Sequence, residues 1–83
     1  MAELARSATQ LGAVIRRKRR KRALTQKQVG ELAGIRQASI SKIENGNLYT
    51  QLDTILRVLA ALDLELTVDN RSKGSAISFE DIF

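Results

Sequence analysis

The sequence predicts an all-α domain of four short helices with one short C-terminal strand. Apolar residues recur at spacings of three and four along most of the chain, which is the period of an amphipathic helix. Thr25 and Thr50 are each followed three residues later by Gln or Asp, a spacing typical of a capping box at a helix start. Gly34 separates two apolar segments by a very short turn. We therefore expect one folded domain over residues 1–68, followed by a polar linker and an apolar tail over residues 69–83.

The first predicted helix contains a run of seven basic residues, 16–22. It begins near Ser7 or Thr9, either of which can cap it. Arg and Lys are good helix formers, so the basic run continues the helix. Arg19 follows the apolar Ile15 by four residues, which places it on the inner face, where its charge needs a partner. The other cations of the run can stay solvated or face phosphate.

The second and third predicted helices are joined by the turn at Gly34. The second begins with the Thr25 capping box, and its inner face is predicted at the apolar positions Val29, Leu32 and Ala33. The third is predicted to end at Asn45 and Gly46, with Ile35, Ile40 and Ile43 as its apolar positions. Its N-cap position is occupied by Arg36, a poor capping residue. A local rule broken in this way often marks a functional position.

The fourth predicted helix begins with the Thr50 capping box and carries a broad apolar face. Its predicted buried positions are Leu52, Ile55, Leu56, Leu59, Ala60 and Leu62. The following segment, LELTV at 64–68, alternates apolar and polar residues like a half-buried strand. One strand cannot satisfy its own backbone groups, so we expect antiparallel pairing with a second copy through Leu64, Leu66 and Val68. The alternatives are a loop or an extension of the fourth helix.

Charge is distributed unevenly along the chain. Residues 1–43 carry eleven Lys or Arg and two acids, a balance of +9, whereas residues 44–83 carry three Lys or Arg and seven acids, a balance of −4. A basic first half suits a polyanion such as nucleic acid, and we favour this over solubility alone because the asymmetry is large for so short a chain. There is no cysteine or histidine, which excludes disulfides and the usual zinc sites. No nucleophile–base pair or phosphate-binding glycine loop is recognisable, so we expect neither an enzyme nor a cofactor.

Two short helices joined by a tight glycine turn indicate a helix-turn-helix, whose second helix enters the DNA major groove. Gln37 offers a donor and an acceptor that match adenine N6 and N7. Ala38 can touch a thymine methyl group, and Lys42 can neutralise phosphate. Ser39 and Ser41 can bond to base edges or phosphate, or can simply form solvated helix surface.

The stretches LGAVIRRKR, LTQKQVGELAGI, RQASISKIENG and LDTILRVLAALDLEL resemble the XRE-type, lambda-repressor-like helix-turn-helix family over residues 9–62. The fourth helix running directly into LELTV is most similar to the HipB-type antitoxins. The resemblance implies a dimeric repressor that binds a palindromic double-stranded operator, controls its own operon and pairs with a HipA-type Ser/Thr kinase toxin. It also implies a location in the bacterial cytosol, at the nucleoid.

The resemblance also implies roles for individual residues. Gln26 would bind phosphate, and Arg36 would contact DNA, which explains its poor capping. Lys27, Ala38 and Ser41 match further contact positions. Arg19 would pair with Glu44, near the end of the third helix.

Three features leave alternatives open: the helix-turn-helix motifs, the basic run and the tail. A stand-alone phage or plasmid repressor would share these motifs, whereas a single-stranded nucleic-acid binder is poorly supported by one Tyr and two Phe. The basic run could also serve as a nuclear localisation signal, which the surrounding apolar helix argues against. The tail is apolar enough to hold a toxin, to pack on its own domain, or to form crystal contacts. Its apolar residues are Ile77, Phe79, Ile82 and Phe83.

Overall fold

The computed structural model describes residues 3–47 and 49–71 and contains four α-helices in that part of the chain. In chain order they are α1 (Ala8–Lys21), α2 (Gln26–Ala33), α3 (Gln37–Glu44) and α4 (Leu52–Ala61). Contacts of α2 with α3, α1 with α3, and α2 with α4 hold them together. The predicted four-helix order is thus confirmed. None of the described helices has the length and apolar character needed to span a membrane.

Side-chain capping explains where α1 and α2 begin, but not where α3 begins. Ser7 caps α1, since its hydroxyl accepts a 3.1 Å hydrogen bond from the Gln10 amide. At α2 the predicted capping box is confirmed: the Gln28 amide donates to the Thr25 hydroxyl at 3.0 Å and the Thr25 amide donates to the Gln28 side chain at 2.8 Å. Arg36 is the N-cap of α3 and makes no side-chain capping bond, as predicted.

The capping box predicted for Thr50 and Asp53 is wrong. The N-cap of α4 is Gln51, one residue later, and it makes no side-chain capping bond. This shift places Asp53 at the second helical position, whereas a capping box needs its acid at the third. Asp53 still lies in the first turn, where a carboxylate favours the positive end of the helix dipole.

The turn between α2 and α3 sets their close crossing. Gly34 has a φ of 70°, in the left-handed region that glycine adopts without a steric cost, as predicted for the end of α2. The Ile35 amide then donates to the Gly30 carbonyl at 2.8 Å. A Cβ on Gly30 would lie 2.5 Å from the Ile35 carbonyl oxygen, so this crossing requires glycine on α2.

The core draws on all four helices. Its buried members are Ile15, Val29, Ala33, Ile40, Ile43, Val58, Leu59 and Leu62. Ile40 and Ile43 lie on the inner side of α3 and fix its orientation on the domain. The predicted core positions Leu32, Leu52 and Leu56 are instead exposed, by 64%, 60% and 41%. Ala60, also predicted to be buried, is exposed as well.

The errors on α4 have one cause. Its buried side is centred on Val58 and Leu62, so Leu52 and Leu56 lie to one side of the core contact. The apolar stripe of α4 is wide enough to contact two neighbours. Periodicity alone does not say which part of the stripe faces the core of this domain. Leu52 and Leu56 therefore extend the apolar surface of the domain beyond its own core.

Residues 64–71 follow α4 without forming a helix or a strand, so the described part of the single chain contains no β-strand. Leu64 packs against the core, whereas Leu66 and Val68 are 49% and 92% exposed. Pairing of 64–68 with a second copy remains a prediction, because a lone chain offers this segment no partner. The predicted tail residues Ile77, Phe79, Ile82 and Phe83 lie outside the described residues.

Candidate nucleic-acid interface

The outer side of α3 presents polar side chains on a rigid support. Arg36, Gln37, Ala38 and Lys42 are exposed, and Ser39 and Ser41 are half-buried. The support comes from Ile40 and Ile43, which are 0% and 3% exposed. Because these buried side chains anchor the backbone of α3, its outer face is held in place as one surface of a shape that a major groove admits.

A shallow hollow of about 520 Å³ brings three predicted contact residues together. Lys27 from α2, Arg36 from the turn and Gln37 from the start of α3 line it, along with Glu31. The two cations and the amide suit a phosphate beside a base edge. Glu31 is the one acidic member and weakens the positive field on that side.

The carboxylate of Glu44 is the centre of a buried polar cluster that joins three helices. Arg19 of α1 donates to it twice, from Nε at 2.6 Å and from Nη2 at 3.0 Å. Arg16 of α1 donates from Nε at 3.2 Å, and Gln26 of α2 donates from its side-chain amide at 3.2 Å. The Glu44 side chain is 0% exposed. The structure therefore pairs Arg19 with Glu44, and Arg19 also donates to the Leu24 carbonyl at 2.8 Å.

These bonds determine the charge state of the cluster. Burial by itself would raise the pKa of the Glu44 carboxyl, but hydrogen bonds from Arg19, Gln26 and Arg16 outweigh burial and hold that pKa below its ordinary value. The bond to Glu44 likewise raises the pKa of Arg19. Glu44 is thus ionised at neutral pH. Its hydrogen bonds connect α1, α2 and α3 at Gln26, the first residue of α2.

Gln26 has a role that sequence reasoning did not assign. The resemblance implied that it binds phosphate, and here it is half-buried with its amide nitrogen bonded to Glu44. A carboxamide also has an oxygen and a second N–H. The bond to Glu44 therefore orients the side chain without using all of its hydrogen-bonding capacity.

The basic run is divided between three acidic partners. Arg16 and Arg19 turn to Glu44, Arg17 and Lys18 to Glu3, and Arg22 to Asp63 at 3.6 Å. The Lys18–Glu3 distance is 3.1 Å. Sequence reasoning did not assign acidic partners to Arg16, Arg17, Lys18 and Arg22. Of these four, Arg17 and Arg22 remain exposed to solvent, and Arg16 and Lys18 are half-buried. Arg20 and Lys21 are exposed and make no ion pair among the described residues.

Arg16 and Asn45 were missed by sequence reasoning. Arg16 Nη2 donates to the Asn45 side-chain oxygen at 2.8 Å, in addition to its bond to Glu44. A signal was present, because Arg16 precedes Arg19 by three residues and so shares its flank of α1. The described residues contain no cluster of three or more acids suited to a metal ion.

Comparisons with known proteins agree with this geometry. A helix-turn-helix family model matches residues 15–68. Antitoxin HipB of Escherichia coli (strain K12) is 34% identical over 74 residues, which cover 89% of this chain and 84% of that protein. A HipB variant in a HipB–O2 20mer complex has a TM-score of 0.81 at 30% identity, covering 87% of this chain and 100% of that chain. A chain of a HipA–HipB–O2–O3 complex has a TM-score of 0.77 at 32% identity, covering 84% and 100%.

Proposed function

The chain belongs to the helix-turn-helix family as a DNA-binding regulator of the HipB antitoxin type, and we propose that it is an operator-binding repressor that also holds a HipA-like kinase toxin. The exposed polar face of α3, anchored by Ile40 and Ile43, is the observation that carries the DNA-binding part. Bound at a promoter, such a protein represses by occlusion. The operon it controls would include its own gene.

Base reading is assigned to the first half of α3. Gln37 bonds to the N6 and N7 edge of adenine, and Ala38 contacts a thymine methyl group. Arg36 lies beside Gln37 in the hollow with Lys27, where either cation can reach a phosphate. Gln26 at the N-terminus of α2 supplies a further phosphate contact, and Ser39, Ser41 and Lys42 complete the surface. The absence of a side-chain cap at Arg36 supports this assignment, because its guanidinium is not bonded to the helix end.

The operator-bound form is proposed to be a homodimer. Residues 64–68 of two copies would pair antiparallel, giving each copy the backbone partners that a lone segment lacks. Exposure of Leu66 and Val68 supports this pairing, and the exposed Leu52 and Leu56 provide further apolar surface on α4. Two recognition helices related by a two-fold axis read a palindrome with half-sites roughly 34 Å apart.

The toxin partner is proposed from the HipA–HipB–O2–O3 complex, whose HipB-like fold this chain shares. The composition of the second half suits such a partner, because residues 44–83 have an acidic balance and include the apolar residues Ile77, Phe79, Ile82 and Phe83. A pull-down from the native host with the full chain and with a version ending at Lys73 tests this. A kinase that co-purifies with the full chain but not with the truncated chain supports a contact through the tail. If no kinase co-purifies with either version, the result supports a stand-alone repressor.

The DNA-binding proposal is tested by Gln37→Ala. The operator is first identified by selecting duplexes from a random-sequence library with the wild-type chain. The affinities of the wild type and Gln37→Ala for this operator and for a scrambled duplex are then compared. Loss of a bidentate contact costs about 1–3 kcal/mol at its base pair and relaxes the preference there. Affinity for the scrambled duplex should change little, since it depends on phosphate contacts.

The matched control is Gln51→Ala. Gln51 is also an exposed glutamine next to a helix start, and it makes no side-chain capping bond. It should bind both duplexes as the wild type does. If Gln37→Ala kept the full operator preference, α3 would not be reading bases in the orientation proposed.

A further inference from the structure

Arg16 lies between the buried cluster and the outer side of α3. Its Nε bonds to Glu44 at 3.2 Å, its Nη2 bonds to the Asn45 side-chain oxygen at 2.8 Å, and its side chain is 37% exposed. Gln26 donates to the same Glu44 oxygen, also at 3.2 Å. Arg16 and Gln26 are therefore immediate neighbours at one carboxylate, although they belong to different helices.

Asn45 indicates which surface the Arg16 guanidinium reaches. It follows Ala38 by seven residues and Ser41 by four, spacings that return to the same side of a helix. Ala38 and Ser41 belong to the side of α3 that faces away from Ile40 and Ile43. By bonding to Asn45, Arg16 extends from α1 to the C-terminal end of the proposed recognition surface.

Arg16 can bind a further anion, because the cluster has an excess positive charge and Arg16 has unused N–H groups. Glu44 is the single carboxylate of the cluster, and Arg19 already bonds to both of its oxygens. Two guanidinium groups and one carboxylate leave a net charge of +1, and Arg16 is the more exposed of the two cations, at 37% against 11%. Of its five N–H groups, two are used within the described residues.

We propose, resting on the DNA-binding function above, that Arg16 binds a backbone phosphate of the operator and that Glu44 and Asn45 hold it in position. Arg16 and Gln26 then form one phosphate-binding pair oriented by a single buried carboxylate. Arginine suits this role because its planar guanidinium can bond internally along one edge and to phosphate along another. Arg17, the next residue, bonds to Glu3 on a different side of α1 and is not part of this pair.

The test compares Arg16→Gln with Arg17→Gln, two variants that each remove one positive charge from adjacent positions. Dissociation constants for the selected operator and for a scrambled duplex are measured between 50 and 200 mM salt. One lost phosphate contact lowers the slope of log K against log salt by about 0.9. The wild type should bind the operator more tightly than Arg16→Gln, and the ratio of the two dissociation constants should fall about 3.5-fold across that range. Arg17→Gln should keep the wild-type slope.

Arg16→Lys separates phosphate binding from support of the fold. Lysine keeps the charge but cannot bond to Glu44 and Asn45 together as the guanidinium does. If the positive charge contacts phosphate, Arg16→Lys should have the wild-type slope of log K against log salt. Glutamine at this position leaves Arg19 to balance Glu44, so folding should persist, which thermal unfolding checks.

Several results would overturn the proposal. Equal slopes for Arg16→Gln and the wild type, in a chain that still prefers its operator, would reject this phosphate contact and leave the proposed function intact. A slope lowered as much by lysine as by glutamine would assign Arg16 a purely structural role. A wild-type chain with no preference among duplexes would overturn both proposals.

Discussion

Two glutamates accept bonds from neighbouring cations of the same basic run, yet their surroundings differ completely. Glu44 is buried, and four hydrogen bonds from α1 and α2 converge on it. Glu3 lies in the exposed N-terminal segment and accepts from Arg17 and Lys18, one and two residues after Arg16. An exposed pair gains little because water screens it, whereas a buried carboxylate depends on every donor it has. Adjacent arginines therefore differ in importance according to the side of α1 from which they project.

The largest effect is expected from Glu44→Ala. Removing one member of a buried ion pair costs about 3–5 kcal/mol, and the lower end applies here because Arg16 and Arg19 both reach some water. A domain of this size has a free energy of unfolding of roughly 4–12 kcal/mol, so about a quarter to three quarters of its stability is at stake. Chemical denaturation of Glu44→Ala beside Glu3→Ala measures the difference. An equal midpoint for the two variants would contradict the buried cluster.

Arg19→Lys and Arg17→Lys test the difference between the two ion pairs without changing net charge. Arg19 bonds to both oxygens of Glu44 and to the Leu24 carbonyl, and a lysine cannot reproduce that fork. Loss of charge-assisted bonds should lower the free energy of unfolding by about 1.5–3 kcal/mol. Arg17→Lys should unfold at the wild-type temperature. Equal melting of both variants would show that the fork geometry does not matter.

Acidification should produce a smaller loss, because a protonated Glu44 still fills its site. Its pKa in the fold lies below the ordinary value of 4.5. The carboxylate therefore contributes its full stability above pH 4.5 and loses it as the pH falls through the lower, folded value. Denaturation midpoints against pH, for the wild type and Glu44→Gln, isolate this contribution. Below pH 4.5 the midpoint of the wild type should fall faster than that of Glu44→Gln. Parallel curves for the two proteins would show that other carboxyls cause the acid unfolding.

The same comparison shows what local sequence patterns can predict. The capping box of α2 and the left-handed Gly34 depend on residues within one turn of each other, and both were predicted correctly. Arg19 was predicted to face inward from its spacing to Ile15 alone. Its partner came only from family resemblance, because Glu44 is 25 residues away and no local rule links them.

Errors arose where two elements meet. Leu32, Leu52 and Leu56 have helical spacing but remain exposed, since spacing identifies an apolar face and not the neighbour that covers it. The positions of Arg16 and Asn45 depend on how closely α1 crosses the end of α3. A Cβ on Gly12 would lie 2.4 Å from the Ile43 carbonyl oxygen, so the contact between these helices is close.

Four helices, their order, the polar face of α3 and the basic character of α1 follow from the sequence alone, because propensity, capping and period act within single segments. Which cations of the basic run are bound, and by which acid, depends on how the folded helices pack. Ion pairing depends on distances of a few ångströms between segments far apart in sequence, and packing of the core sets those distances. The core thereby places Arg16 beside the recognition surface and Arg17 beside Glu3.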